Sequence, residues 1–429
     1  MIKVLAASDD RVEELLAYNE DYDQYEQSVD EVLKAVKAQG DNAVFQLTEK
    51  FDGSIINQKN FKVSQEEFQQ AYEYVDEKFL GAIREAVSSI TAFHKKQLRN
   101  SWLEPEADGT IMGQIFRPIS RAGIYVPGGS ASYPSSVIMN AVPAKVAGVQ
   151  EIVMVTPPEK NSSSVNPYTL VAAKEAGVTE IYKMGGAQAI AALAYGTESV
   201  SKVDLITGPG NIYVTLAKKK VYGIVEIDML AGPSEIVIVA DKEASPKYVA
   251  ADLLSQAEHD PLAAAILVTP AKELVAKVQE ELKLQLDQLS RKEIAHQSLA
   301  DRGAIVLTED LDESFKIANI LAPEHLELLI KDPFGNLGKV ENAGAIFLGE
   351  NSPEPIGDYI AGPNHVLPTG GTAKFYSPLN VDTFMKKSSV ISYSKEALRQ
   401  KGEQAIVLAE REGLTAHANA VKIRIKNKI

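Results

Sequence analysis

Leu230-Ala-Gly-Pro-Ser234, followed at once by Glu235-Ile-Val-Ile-Val-Ala240, is the stretch on which the fold turns. The second part is a β-branched apolar run of the kind that parallel sheets bury on both faces, and the first is a Gly-Pro break. Upstream of the break, short apolar runs at 124–126, 152–155, 181–184 and 204–207 each lead into a turn and a helical stretch. Downstream, the runs at 264–269, 305–308, 326–330 and 345–348 read as buried strands as well. This βα alternation predicts an α/β protein, and the different spacing on the two sides of the break predicts two packed units rather than one barrel. The first hundred residues read instead as helix upon helix. Apolar positions recur at i, i+3 and i+4 over 67–98, and Ser64 with Glu67 forms a capping-box signature at its start. Residues 160–166 read as a polar surface loop, and the chain from about 394 onward is helical, without strand pattern and too short for a core of its own.

A chain of 429 residues has ample length for a buried active site. Lys and Arg number 44 against 58 Asp and Glu, so the net charge is −14, which argues against nucleic acid or an anionic membrane surface as partner. No cysteine is present, so disulfides, thiolate zinc sites, iron–sulfur clusters and a thiohemiacetal mechanism are excluded. The N-terminus has no apolar signal region and no window approaches 18 apolar residues, which predicts a cytoplasmic enzyme without a membrane span.

Three strand-to-helix turns are rich in glycine: Pro127-Gly-Gly-Ser130, Gly185-Gly-Ala-Gln188 and Gly208-Pro-Gly-Asn211. Each is either a tight turn or a place where backbone N–H groups hold phosphate, and three in one unit favour a nucleotide. None is the dinucleotide fingerprint, because Tyr213 stands where the third glycine would follow Gly208 and Gly210. Of the six histidines, His94 and His296 read as solvated surface residues. Gln256 and His259 are at i, i+3 on one helix face, open either to a metal or to a plain polar helix end. Asp358 and His365 flank a Gly-Pro turn, and His417 follows Glu412 in the tail. Gln256, His259, Asp358 and His417 form a reasonable N/O donor set for zinc, which spacing alone does not establish. Pro323-Glu-His325 is the most suggestive pair for proton chemistry. Pro323 biases Ala322 away from the helical region, so Glu324 and His325 can converge in a turn, with a surface dipeptide as the bland alternative.

These residues resemble the histidinol dehydrogenase family over nearly the whole chain. The resemblance is carried by Gly123-Ile-Tyr-Val-Pro-Gly-Gly129, Gly185-Gly-Ala-Gln-Ala-Ile-Ala191, Gly208-Pro-Gly-Asn-Ile-Tyr-Val214, Ala231-Gly-Pro-Ser-Glu235, Ser255-Gln-Ala-Glu-His-Asp260, Ala322-Pro-Glu-His-Leu326, Gly362-Pro-Asn-His365 and Leu414-Thr-Ala-His417. It implies oxidation of L-histidinol to L-histidine by two NAD-linked steps through histidinaldehyde, closing histidine biosynthesis, with a zinc ion in each subunit. By similarity Gln256, His259, Asp358 and His417 hold zinc, and Glu324 and His325 are the acid–base pair. Ser135, Ser234, Gln256, His259, Glu324, His325, Asp358, His365, Glu412 and His417 meet the substrate, and Tyr125, Gln188 and Asn211 meet NAD.

The resemblance also implies two incomplete Rossmann-like domains, the second inserted in the first. The expected divisions are an N-terminal arm over 1–20, a first domain over 21–124 and 235–378, a second over 125–234 on the NAD side, and a helical tail over 379–429. Arm and tail are expected to pack on a second subunit of an intertwined homodimer. A zinc hydrolase is disfavoured because no His-Glu-x-x-His occurs, and a mere metal-binding protein has no need of Glu324 and His325 together. A related zinc-dependent dehydrogenase of another amino alcohol or polar diol is the alternative.

Overall fold

All six residues of the strand Glu235–Ala240 are buried. Ile236, Ile238 and Ala240 enter one apolar core, and Val237 and Val239 enter another on the opposite face. A strand covered on both faces in this way requires helices on each side, which is the reason the run carries no polar alternation. The computed structural model describes residues 2–16, 23–128 and 133–426. Within these the strands are β1 Lys3–Ala6, β2 Trp102–Pro105, β3 Ile111–Pro118, β4 Arg121–Tyr125, β5 Glu151–Thr156, β6 Glu180–Lys183, β7 Leu205–Thr207, β8 Glu226–Ile227, β9 Glu235–Ala240, β10 Ala264–Thr269, β11 Ala304–Leu307, β12 His325–Leu329, β13 Ala345–Leu348 and β14 Met385–Ser392.

The chain divides into two compact units, Met1–Gln97 with Ile119–Phe384, and Leu98–Pro118 with Met385–Ile429. The first holds two parallel sheets. One has the order β6-β5-β4-β7-β8 and the other β1-β11-β10-β9-β12-β13. Leaving β1 aside and numbering each sheet's strands from its own first, both read 3-2-1-4-5, the doubly wound order without its sixth strand. The five-stranded sheet lies in sequence between β1 and β9, and the expected α/β class with parallel sheets is found. The nine strands read from the sequence are present with shifts of a few residues at most. Short β1 and β8 were not foreseen, so the opening of the chain is not purely helical.

The helical stretch expected over 67–98 is two helices, Gln65–Tyr74 and Glu77–Lys95, separated at Val75. The capping box of Ser64 and Glu67 is formed, and Asp76 caps the second helix through the Phe79 N–H. His94, expected at the surface, is instead fully buried. It lies on the inward face of its helix with Ile83, Ala86 and Ile90, and its Nδ1 donates to the Ile90 carbonyl at 2.8 Å. His296 is exposed, as expected.

In the second unit, β2, β3 and β14 form an antiparallel sheet in the order β14-β3-β2. The tail expected to be helical over 379–429 instead begins with a 3-10 turn at Val381–Phe384 and an extended strand, and among the described residues it is α-helical only in Lys395–Arg411 and Thr415–Lys426. Its strand was missed because most of its side chains are exposed, which leaves no apolar run to read. The two helices pack closely where Gly402 faces Val421 and Ile425.

One buried ion pair fixes the third glycine turn. Lys218 and Asp228 are both almost completely enclosed and pair with each other. Lys218 Nζ also donates to the Gly208 carbonyl at 3.0 Å, and Asp228 accepts from the Gly208 N–H at 2.8 Å. Gly208 has φ of +111°, and a Cβ there would stand 2.1 Å from the Tyr125 carbonyl oxygen, so the turn admits no other residue. Removing one partner of such a pair leaves an uncompensated buried charge. Lys218→Met is therefore expected to lower the unfolding free energy by about 3–5 kcal/mol in urea titration; a loss below about 1 kcal/mol would show that the pair does not hold the turn.

Candidate active site

The two sheets are used at opposite ends. On the five-stranded sheet the glycine turns follow the C-terminal ends of β4, β6 and β7, and β4 and β7 are the neighbours at which the strand order reverses. This is where doubly wound sheets bind ligands. A cavity of about 580 Å³ opens there, lined by Tyr125, Gln188 and Asn211, the three residues expected to meet NAD. Tyr125 is buried, which pushes its hydroxyl up to about 12, and that hydroxyl accepts from the Gly186 N–H at 3.2 Å. Gln188 is buried with its Nε2 unpartnered, and Asn211 caps the helix Ile212–Val221. Gly129 and Ser130 of the first glycine turn lie outside the described residues.

On the six-stranded sheet the candidate residues gather at the N-terminal ends of the strands. Ser234 precedes β9, and Glu324 precedes β12, which His325 begins. Ala322 takes a left-handed conformation with φ of +49°, so the helix ahead ends abruptly and Glu324 and His325 converge as their turn position suggested. His325 Nδ1 stands 3.7 Å from Glu324 Oε2. It donates to the Glu235 carbonyl at 3.0 Å, which leaves Nε2 as the basic nitrogen. Burial pushes the His325 ring below its usual range, so it is neutral and able to accept a proton at neutral pH.

The His325 Nε2 faces two carboxylates, Glu354 Oε1 and Asp358 Oδ1, each at 3.9 Å. With His259 these acids form a group whose ligand atoms lie within 4.8 Å of one another. Gln256, a turn ahead of His259, is fully buried with both amide atoms unpartnered, and Glu354 Oε1 and His325 Nε2 are likewise buried without partners. A set of imidazole, carboxylates and an amide with orphaned atoms suits a cation of zinc's preference for nitrogen and oxygen ligands. Burial first, and then the Glu354 charge, push the Asp358 carboxyl well above its usual range, as expected where like charges share a buried place. His365 donates from Nδ1 to the Asp358 carbonyl at 3.0 Å, and burial pushes it down to about 4.

His325, Asp358 and His365 line a cavity of about 490 Å³. Ser135, in the helix after β4, and His259 line another of about 630 Å³. The first unit thus brings Ser135 and the metal-ligating candidates to one neighbourhood. Glu412, at the end of the helix Lys395–Arg411, and His417 belong to the second unit, and both are exposed in the single chain.

Two acids of this cluster escaped the sequence. Glu354 stands four residues before Asp358, a spacing that puts both on one helix face, and that was the available signal. Glu235 was signalled only by being an acid at the head of a fully apolar strand. It forms a reciprocal clasp: the Glu235 N–H donates to Glu324 Oε2 at 2.9 Å, and the Glu324 N–H donates to Glu235 Oε1 at 3.2 Å. The Gly370 N–H adds a third bond to Glu235 at 3.0 Å.

A sequence profile described as histidinol dehydrogenase matches residues 17–425. The chain is similar to a histidinol dehydrogenase of Heliobacterium mobile, 62% identical over 398 residues, covering 93% of each chain. A histidinol dehydrogenase of Bacillus cereus is 54% identical over 427 residues, covering 100% of this chain and 96% of that one. Among solved structures, the crystal structure of histidinol dehydrogenase from Elizabethkingia anophelis superposes with a TM-score of 0.93 at 37% identity, covering 99% of this chain and 98% of the other.

The Glu235 clasp gives a pH signature. Burial pushes the Glu235 carboxyl from 4.5 up to about 8, against the pull of the backbone N–H groups of Glu324, Gly370 and Gly371. Between those values the unfolded chain gives up a proton that the folded protein keeps, so this group's stabilising contribution falls as pH rises from 4.5 to about 8 and is constant above. Glu235→Gln keeps an accepting oxygen and removes the titration. In urea unfolding at a series of pH values, the variant should gain on the wild type across this window and level off above it; a difference independent of pH would contradict the assignment.

Proposed function

The chain belongs to the histidinol dehydrogenase family, and from that membership we infer that it oxidises L-histidinol to L-histidine with NAD through histidinaldehyde, the last steps of histidine biosynthesis. The observation that carries the reading is His325: a buried, neutral imidazole, fixed in one tautomer by the Glu235 carbonyl, with its basic nitrogen facing the His259, Glu354 and Asp358 group. When bound beside Tyr125, Gln188 and Asn211, NAD would supply a hydride acceptor, and zinc held by Gln256, His259, Asp358 and His417 would supply a chelation point for the substrate's imidazole and amine.

The protein's own groups handle the protons. His325 Nε2 accepts the hydroxyl proton as hydride leaves the alcohol carbon. The aldehyde then needs water to become a gem-diol before the second hydride leaves, and Glu324 is the base for that water. Burial and the Glu235 charge raise the Glu324 carboxyl well above its usual range, which makes it a stronger base once ionised. Gln256, His259, Asp358 and His417 are the proposed zinc ligands, with Glu354 placed to join or support them. Ser135, Ser234, His365 and Glu412 are proposed to hold the substrate, and Tyr125, Gln188 and Asn211 the NAD. A cytoplasmic location belongs to this reading; among the described residues no helix is long and apolar enough to cross a membrane.

The test is NADH absorbance on addition of L-histidinol. Chelation should abolish it and zinc restore it. His325→Asn and Glu324→Gln should each lower kcat by well over tenfold, about 1.4 kcal/mol of barrier, with little change in KM. Glu324→Gln should fall hardest on histidinaldehyde as starting substrate. Rates within about tenfold of the wild type for both variants would contradict the proton-transfer roles of His325 and Glu324.

We also propose that Glu412 and His417 complete the site of a second copy in an intertwined homodimer. The support is that both are exposed on a separate compact unit of the chain while the family match extends through them. Inactive His417→Ala and inactive His259→Ala chains, unfolded and refolded together, should then regain part of the activity, because a mixed dimer has a site free of both lesions. Proven mixed dimers without activity would mean that the tail serves its own subunit.

A further inference from the structure

Resting on the NAD reading above, the structure carries a further assignment about cofactor choice. In doubly wound sheets an acidic residue about 20 positions beyond the first glycine of the phosphate turn binds the ribose hydroxyls. The glycine turn after β7 has an acid at that spacing, Asp228, just after β8 and 20 residues beyond Gly208, although β7 is the fourth strand in order and not the first. Asp228 is not free for a ligand. Its side chain is 1% exposed, one oxygen accepts from the Gly208 N–H, and the other accepts from Lys218 and from the Met229 N–H. The acid at that spacing is the peg that fixes the glycine turn.

The cavity holding Tyr125, Gln188 and Asn211 contains another acid, Asp52. Three features mark it as a group awaiting donors. Asp52 Oδ2 is buried without a hydrogen-bond partner among the described residues. Burial raises its carboxyl to about 6. It is also the last residue of the helix Asp41–Asp52, where the helix dipole disfavours a negative charge. Its charge reaches Tyr125, and its neighbour Phe51 offers an exposed ring in the same cavity. Lys50 also lines the cavity, but its ammonium lies 5.2 Å over the Phe51 ring.

We propose that Asp52, in place of the sequestered Asp228, accepts the hydroxyls of a dinucleotide ribose and thereby selects a free 2′-hydroxyl over a 2′-phosphate. Hydroxyl donors would satisfy the orphaned carboxylate, whereas a phosphate would bring further negative charge against it. The protein would then prefer NAD to NADP without the usual fingerprint.

Calorimetric titration of NAD and of NADP into the full-length protein, as wild type, Asp52→Asn and Asp52→Ser, tests this without turnover. The wild type should bind NAD at least about a hundredfold more tightly than NADP, each factor of ten being about 1.4 kcal/mol. Both variants should lose about tenfold in NAD affinity, the scale of one charge-assisted hydrogen bond, and discriminate by no more than about tenfold. L-histidinol titrated into the same samples should bind equally to all three proteins, which shows that the variants are folded. Either variant keeping both its NAD affinity and its rejection of NADP would overturn the Asp52 assignment and leave the NAD reading intact. Two variants that unfold and bind nothing would overturn it as well, by making Asp52 a structural residue. A wild type that binds L-histidinol but neither nucleotide would overturn the NAD reading itself, and the assignment with it.

Discussion

Four glutamates, Glu235, Glu324, Glu327 and Glu354, lie buried beside one histidine at the N-terminal edge of a parallel sheet, and the rest of the site is arranged around the cost of that burial. Isolated carboxylates in such a place cannot all ionise. The protein answers in three ways. Backbone N–H groups are turned onto Glu235 and Glu324 in a reciprocal clasp, and the Glu354 N–H donates to Glu327 Oε1 at 2.8 Å. Protons are held more tightly, since burial raises the carboxyls of Glu235, Glu324 and Glu327 above their usual range. At the mouth of the cluster, Glu354 and Asp358 meet His259 in a group suited to a cation.

The same strand order appears twice, yet the two sheets are put to different uses. In the five-stranded sheet the C-terminal strand ends make glycine turns around a cavity, as the topology favours. In the six-stranded sheet the strands that flank the same topological switch, β9 and β12, contribute at their beginnings through Glu235 and His325. The proposed reading puts a dinucleotide on one sheet and a small polar substrate on the other, and each sheet keeps its own apolar cores. The ion pair of Lys218 and Asp228 fixes the glycine turn without the usual fingerprint.

The sequence made the parallel strands legible because each is a continuous apolar run closed by a turn residue, and Glu235–Ala240 shows this most clearly. It hid β3 and β14, whose side chains are largely exposed or half-buried and so form no run. Glu324 and His325 were legible because Pro323 forces the chain out of the helix just before them. Glu235 was not, since an acid heading a buried strand gains its meaning only from the Glu324 and Gly370 backbone groups brought to it by distant segments. His94 was misread for the same reason: its charged neighbours Lys95 and Lys96 suggested solvent, whereas the helix turns its ring inward with Ile90. Gln256 and His259 were legible as a pair, but the acid that shares their neighbourhood, Glu354, arrives from nearly a hundred residues away, bonded to Ser255 at 2.9 Å.

The proposed chemistry stands on one cation held beside His325 by the acids at the edge of the six-stranded sheet. Anomalous diffraction at the zinc edge, on crystals of protein that turns over L-histidinol, tests it directly. A peak is expected about 2.0–2.2 Å from a ring nitrogen of His259 and from a carboxylate oxygen of Asp358. A peak that touches neither residue, in active protein, would contradict it.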